Sequence, residues 1–428
     1  AREMKDSGIE WIGEIPKEWE IKRIKYVAEF EPKCNMNELN NDSIVTYLPM
    51  ECLKNGYFEK CERNLGDLPT SLTHFQENDI VMAKVTPCFE NGNIAIMQKL
   101  QSGFGLGSSE LFVLRCKTVN IHYLFWWLQN RGFVSQACST MTGTGGLKRV
   151  SPYFIKNCTM DMPRQIEQVR ISNFLYAQCE ELDNVHKKTC ASIEEYKKLK
   201  QAVITQAVTK GIRGNRELKD NGIEWIGEIP VEWEERRIKT LFNLRKERNF
   251  SPLEEVNLIS LYTDLGVVQH SELEKTTGNK ASNADGYKTV YRDDIVVNII
   301  LCWMGAIGRS EYNGVTSPAY DVYIPRNEVL SKFYHYYFRT KGFSGDCYKR
   351  GKGIMAMRWR TYSDQFRDIR VVYQSLEEQR VIVKYLYQKC AAIDELIAKK
   401  EQYLSEIENY KKSLIYEYVT GKKKVPQE

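Results

Sequence analysis

Residues 6 to 25 read DSGIEWIGEIPKEWEIKRIK, and residues 220 to 239 read DNGIEWIGEIPVEWEERRIK. Sixteen of the twenty positions are identical at a constant offset of 214, so the 428-residue chain is a tandem duplication of a unit just over 210 residues long. Two similar modules in one chain imply a pseudo-two-fold internal repeat. That arrangement suits an extended, bipartite ligand, and duplex DNA is the obvious candidate.

Each repeat closes on a stretch without helix breakers. No proline or glycine occurs between Pro163 and Gly211, or between Gly353 and Gly421. The segment from Arg367 to Tyr373 alternates like a strand, so the helices are expected to begin near Arg164 and Ser375, beside the pairs Glu167-Gln168 and Glu378-Gln379 at an offset of 211. Positions 175, 179, 182, 186, 189, 193, 196, 200, 203 and 207 step alternately by four and three. Seven of these ten are apolar, and so are eight of the ten positions 211 residues later. Such spacing predicts a coiled-coil seam carried by Leu175, Leu182, Ile193, Leu386, Ile393, Ile397, Leu404 and Ile407. His186, Thr189, Lys400 and Lys411 would fix its register. The alternative is two amphipathic helices, each packed on its own domain; a run of about 65 Å of helix would overhang such a globule. An antiparallel pairing, with a module emerging at each end, would bring residues 6 to 25 near the end of the last helix.

The globular parts are α/β (α+β) in flavour. Asn78-Asp79 precedes IVMAKV, and Asp293-Asp294 precedes IVVNII, each reading as a turn and a buried strand. GLGSSELFVLR (105 to 115) and GVTSPAYDVYIPR (314 to 326) form a second matched turn and strand. Short aromatic helices follow from His122 and Lys332. Then come the glycine loops TGTGGLKR (142 to 149) and RGKGIMAMRWR (350 to 360). Trp11/Trp225 and Trp19/Trp233, with Pro16 and Pro230, read as a shared structural joint rather than as base-stacking platforms. The domain boundaries expected are 1 to 163, 164 to 213, 214 to 374 and 375 to 428.

The glycine loops are the strongest local signal for a ligand. Glycines let a backbone approach a phosphate and leave long basic side chains free to reach base edges. Lys148 and Arg149 in the first loop, Lys84 at the end of IVMAKV, and Lys349, Arg350, Lys352, Arg358 and Arg360 around the second are the candidate DNA contacts. The alternative for each is an ordinary solvated basic loop. With 61 basic and 56 acidic residues the net charge is only +5, so any anion-binding surface must be local.

Other chemistry finds little support. There is no Walker A loop, no HExxH and no GxSxG, and the five histidines (74, 122, 186, 270 and 335) show no ligand spacing. No catalytic residue and no metal ligand is therefore expected. Nine of the twelve cysteines lie at or before Cys190, with no CxxC pair and no framework shared between repeats, which reads as reduced thiols acting as small apolar residues. The longest apolar stretch, around Ile295 to Ile307, is too short to span a bilayer, so a cytoplasmic protein without membrane contact is expected.

Taken in order, GIEWIGEIPKEW and its repeat, DIVMAKVTPCFENGNIA, the SSE turn, GTGGLKRV, and the helices that start at Glu-Gln and end VTKG and VTGK resemble the specificity subunit of type I restriction-modification systems. The resemblance covers essentially the whole chain. It implies two target recognition domains, each reading one half of a split DNA site, and an antiparallel coiled coil that sets the spacer and docks the modification subunits. It also implies no catalysis in this subunit and no cofactor bound by it. It places S-adenosylmethionine-dependent methyl transfer on the modification (methyltransferase) subunits and ATP-driven translocation and cleavage on the restriction (translocase and nuclease) subunits, with Mg also expected on partner subunits. The leading Ala1-Arg2 reads as a remnant outside the family pattern. A self-contained methyltransferase or endonuclease, and a coiled-coil scaffold without DNA affinity, are the alternative readings.

Overall fold

A computed structural model describes residues 2–34, 39–144, 146–270, 283–353 and 359–426. It divides into two compact units, residues 1–190 with 402–428, and residues 191–401. The long helices Gln165–Lys210 and Leu376–Val419 start within a residue of the expected points, and each contributes to both units.

In the first unit a four-stranded antiparallel sheet runs in the order Ala28–Phe30, Leu111–Cys116, Asp79–Ala83, Ile94–Ile96. A second sheet, with one parallel pair, holds Cys61–Asn64, Ile44–Leu48, Phe104–Gly107 and Thr73–Gln76. The second unit repeats the first sheet with Phe242–Leu244, Tyr320–Pro325, Ile295–Asn298 and Ile307–Arg309. The register is the same. Leu114 pairs with both Phe30 and Ile80, and Tyr323 with both Leu244 and Ile295. Asn78 and Asp293 take positive φ (67° and 75°) in the turns before the central strands. The buried aspartates that follow are locked alike: Asp79 takes Arg115 Nε at 2.8 Å, and Asp294 takes Arg245 Nε at 2.9 Å. A carboxylate that stays ionised when buried needs such a partner.

The opening segment is a joint in both units. Trp19 and Trp233 are buried, and the strands Glu20–Arg23 and Glu234–Arg237 pair with Thr159–Met162 and Arg370–Tyr373. Arg2 is no remnant: its guanidinium meets Glu167 Oε1 at 2.6 Å, as Arg216 meets Glu378 Oε1 at 2.5 Å. The duplication extends this far, since Arg2-Glu3 matches Arg216-Glu217 at the same offset of 214. Beside each glutamate, a buried glutamine caps the chain entering the helix. Gln168 Nε2 donates to Pro163 O at 2.8 Å, and Gln379 Nε2 to Gln374 O at 2.9 Å.

The heptad positions are the covered ones. In the first unit Leu175, Cys179 and Leu182 join the core with Leu414 and Tyr418, and Phe174 lies 4.5 Å from Tyr418. Asp183 pairs with Lys411 and His186 with Glu408, so partner numbers fall on one helix as they rise on the other. The helices run antiparallel there. In the second unit Ile204 and Ala207 share a core with Leu386 and Cys390, and Lys200 pairs with Asp394. Ile193, Ile393 and Ile407 are buried, while Ile397 and Leu404 are half-buried. All twelve cysteines are unpaired. No helix among the described residues is long and apolar enough to cross a membrane.

As expected, the opening segment meets the end of the last helix within the first unit. Tyr416 Oη donates to Trp11 O at 3.0 Å, Lys422 Nζ donates to Glu14 O, and a side chain at Gly421 would strike Pro16.

Leu386 is fully buried and its neighbour Tyr387 is 72% exposed. Leu386→Ala should cost about 2–5 kcal/mol, and Tyr387→Ala within about 0.5 kcal/mol, in denaturant titration. Equal effects would rule out this helix register. Asp161 offers a second test. Burial pushes its carboxyl up to about 7, against bonds from Trp127 Nε1 and Tyr123 Oη and the charge of Lys422. The folded value exceeds the unfolded one of about 3.9, so its stabilising contribution is present at low pH and lost as pH rises through 7. The melting temperature of Asp161→Asn should therefore gain on the wild type between pH 4 and pH 8; a constant difference would refute the buried titration.

Candidate nucleic-acid interface

In the first unit the glycine loop is a hairpin clamped on the central sheet. Arg149 N donates to Thr142 O at 2.8 Å, and Val150 N donates to Lys84 O at 2.9 Å. Thr86 Oγ1 donates to Gly146 O and accepts from Lys148 N. Lys84, Lys148 and Arg149 are thus brought together on adjacent strands. Lys84 Nζ stands 5.6 Å over the ring of Phe112. Lys148 is exposed, and Arg149 makes a two-pronged ion pair with Glu110 at 2.9 and 2.7 Å. Alongside lies an open cavity of about 900 Å³, lined by Trp11, Lys84, Arg149 and Tyr153 among others. Trp11 rests flat on Gly132, where any Cβ would run into its ring, and Trp225 rests on Gly342 in the same way.

The second unit anchors its loop at the corresponding place. Thr361 N donates to Ile299 O at 2.9 Å, and Lys352 and Arg360 face each other across the hairpin base, exchanging bonds of 2.8 and 3.0 Å. Arg358 lies outside the described residues. Tyr348 and Trp359 stack at 4.9 Å with their planes 21° apart, and Trp303 adds a third ring 5.6 Å from Tyr348. Gly351 is required there because a Cβ would strike the indole of Trp359. Lys349 and Arg350 sit apart from the hairpin base, in the last turn of the helix Lys341–Arg350. Lys349 is paired with Glu224 at 2.6 Å and Arg350 with Asp368 at 3.4 Å, the latter shared with Arg237 and Lys239. Those two cations are partly neutralised before any ligand arrives.

Sequence reasoning missed Glu110, although it sits in the conspicuous SSE turn. The signal was there. The first repeat has Ser-Ser-Glu where the second has Ser-Pro-Ala, and the backbone places match: Lys84 N donates to Glu110 O as Ile299 N does to Ala319 O. Among the described residues no group of three or more His, Cys, Asp or Glu side chains is arranged to hold a metal ion.

Gly132→Ala should drive Trp11 out of place at the cavity wall. The expected outcome is a loss of about 1–3 kcal/mol from overpacking, exceeding the helix propensity gained, with a red-shifted tryptophan emission. Unchanged emission would show that Trp11 is not held there.

No protein-family model matches the chain. Over 196 residues, 45% of its length, it is 28% identical to the type I restriction enzyme EcoEI specificity subunit and 30% identical to the EcoAI specificity subunit, both of Escherichia coli. The chain spans about a third (33%) of the length of those relatives. In fold it matches a chain from a structure describing complex assembly and conformational transition of the type I restriction-modification system (TM-score 0.72, 14% identity, 95% of this chain and 98% of that one). It also matches the HsdS subunit from Thermoanaerobacter tengcongensis (TM-score 0.54, 16% identity, 95% and 98%). In sequence and in fold, the proteins this chain resembles are specificity subunits of type I restriction enzymes.

Proposed function

We propose that the chain is the non-catalytic, sequence-reading subunit of a type I restriction-modification complex, with each unit reading one half of a bipartite, asymmetric DNA site. The supporting observation is a pair of frameworks alike in strand register, each presenting a glycine hairpin at the same edge but furnished with different side chains: Lys84, Lys148 and Arg149 in one, Lys352, Arg360 and an aromatic stack in the other. A shared frame with divergent loops is what two readers of different sequences require.

On this reading the long helices set the spacer between half-sites and dock the modification subunits. S-adenosylmethionine, ATP and Mg would then be bound by the partner subunits rather than by this chain. The DNA is met in the cytoplasm. Inserting four residues after Thr209 should then shift the preferred spacer while leaving each half-site sequence intact.

The direct test is modular. Lys148→Ala with Arg149→Ala should impair recognition of one half-site only, and Arg358→Ala with Arg360→Ala only the other. For every phosphate that a removed side chain had neutralised, the log-log salt slope should fall by about one. Equal loss at both half-sites from either pair, measured by mobility shift on duplexes altered in one half at a time, would refute the reading.

A further inference from the structure

The Arg149 and Glu110 pair has a geometry that a solvated ion pair does not need. The two carboxylate oxygens of Glu110 take the side edge of the guanidinium, Oε2 from Nε at 2.9 Å and Oε1 from Nη2 at 2.7 Å. That leaves the end edge, Nη1 and the second Nη2 hydrogen, as a free two-pronged donor. Both residues stand on fixed backbone. Arg149 exchanges two hydrogen bonds with Thr142, at 2.8 and 3.1 Å. Glu110 takes Lys84 N at 3.0 Å on its carbonyl and donates its own N–H to Ser108 Oγ at 3.2 Å. The Arg149 side chain is 47% exposed and lines the open cavity beside the hairpin. Arg149 also holds the Glu110 carboxyl below the usual carboxylate range, so the brace stays charged.

We propose that Arg149 reads a guanine in the DNA half-site served by the first unit, and that Glu110 is the positioning residue that presents it; this rests on the DNA-recognition reading above. In the major groove guanine offers two adjacent acceptors, O6 and N7, which match the end edge of a guanidinium. Adenine puts an amino donor where O6 would be, and the fork rejects it. A free arginine samples many rotamers and serves a phosphate equally well. One gripped along its side edge is committed to a single direction, which is what base readout needs and phosphate attraction does not.

The second unit supplies the internal control. Ala319 occupies the backbone place of Glu110 and carries no carboxylate, so Arg360 has no such brace from that turn. Among the described residues of the two hairpins, this braced fork is found in the first unit. One chain can thereby read two unlike half-sites from a single framework.

The experiment is selection of a randomised duplex pool by the full chain, followed by sequencing, for wild type, Glu110→Ala and Arg149→Lys. Wild type should enrich a motif with a fixed guanine in one half. Both variants should lose preference for that guanine by about tenfold or more, keep the other positions, and melt as wild type does. In Glu110→Ala the salt slope should be unchanged, because the same phosphates remain neutralised. Identical motifs from all three proteins would overturn the proposal while leaving DNA recognition intact. So would a loss spread evenly over every position of the half-site, which would make the pair a structural brace. Failure of the wild type to enrich any motif would overturn the DNA-recognition reading itself, and this inference with it.

Discussion

Everything in each unit hangs on the grip between an opening arginine and the glutamate at the start of a long helix. Glu167 receives Arg2 at 2.6 Å and the Trp19 indole at 3.0 Å; Glu378 lies 2.5 Å from Arg216 as an ion pair without hydrogen-bond geometry. The grip is confined, with side-chain exposures of 20% and 24% in the first pair and 10% and 13% in the second. Ion pairs in full solvent contribute little, whereas a partly buried pair is costly to break because each charge then loses its partner without regaining water. Around Gly211 the guanidinium of Arg216, the ring of Trp233 and the carboxylate of Glu378 all close to within about van der Waals distance of where a Cβ would stand. The joint therefore fixes where the opening segment leaves a helix, and the sheet that follows inherits its position. This accounts for the near-identity of the two opening segments while the interiors drifted. A substitution here has three neighbours to satisfy at once.

The next layer is also duplicated, but by chemistry rather than by identity. Asp79 with Arg115 and Asp294 with Arg245 perform one task, closing the turn before the central strand, yet the arginine comes from a different strand in each unit. In the first it lies on Leu111–Cys116 and in the second it follows Phe242–Leu244. Elsewhere the task itself was lost. Asp161 takes the Trp127 indole, while the matching strand carries Val372, whose carbonyl accepts from Tyr334. A buried hydrophobe replaces a carboxyl whose ionisation burial opposes, a substitution that a packed core accepts readily.

These differences set what could be read from the sequence. The duplication, the helix starts and the heptad seam were legible because each is a local pattern, a repeated string or a fixed spacing, and burial follows it position by position. The turns at Asn78 and Asp293 were legible for the same reason. Arg2 was misread because its partner Glu167 lies 165 residues away, though its match to Arg216 was in plain sight. Glu110 escaped for a similar reason: its meaning depends on Arg149, which reaches it only once the hairpin folds onto the strand edge. Lys349 and Arg350 looked equivalent to Lys352 and Arg360 along the chain. Only the fold reveals that Glu224 and Asp368 stand within ion-pair distance of them.

That pairing bears on how such a surface discriminates. A chain with net charge of only +5 has little long-range field to attract DNA, and two of its most conspicuous cations are tied to carboxylates. What remains at the hairpins is a small number of directed groups: a guanidinium held by its side edge in one unit, and in the other a stacked tyrosine and tryptophan beside Lys352 and Arg360. Undirected charge raises affinity for all sequences alike, and so adds nothing to the difference in affinity on which discrimination rests. Carboxylates next to the cations act in the opposite sense. On the proposed reading they would repel the phosphate backbone, a cost that a cation directed at a base can offset. If the hairpins read DNA as proposed, the acidic partners are as much a part of that surface as the basic residues they restrain.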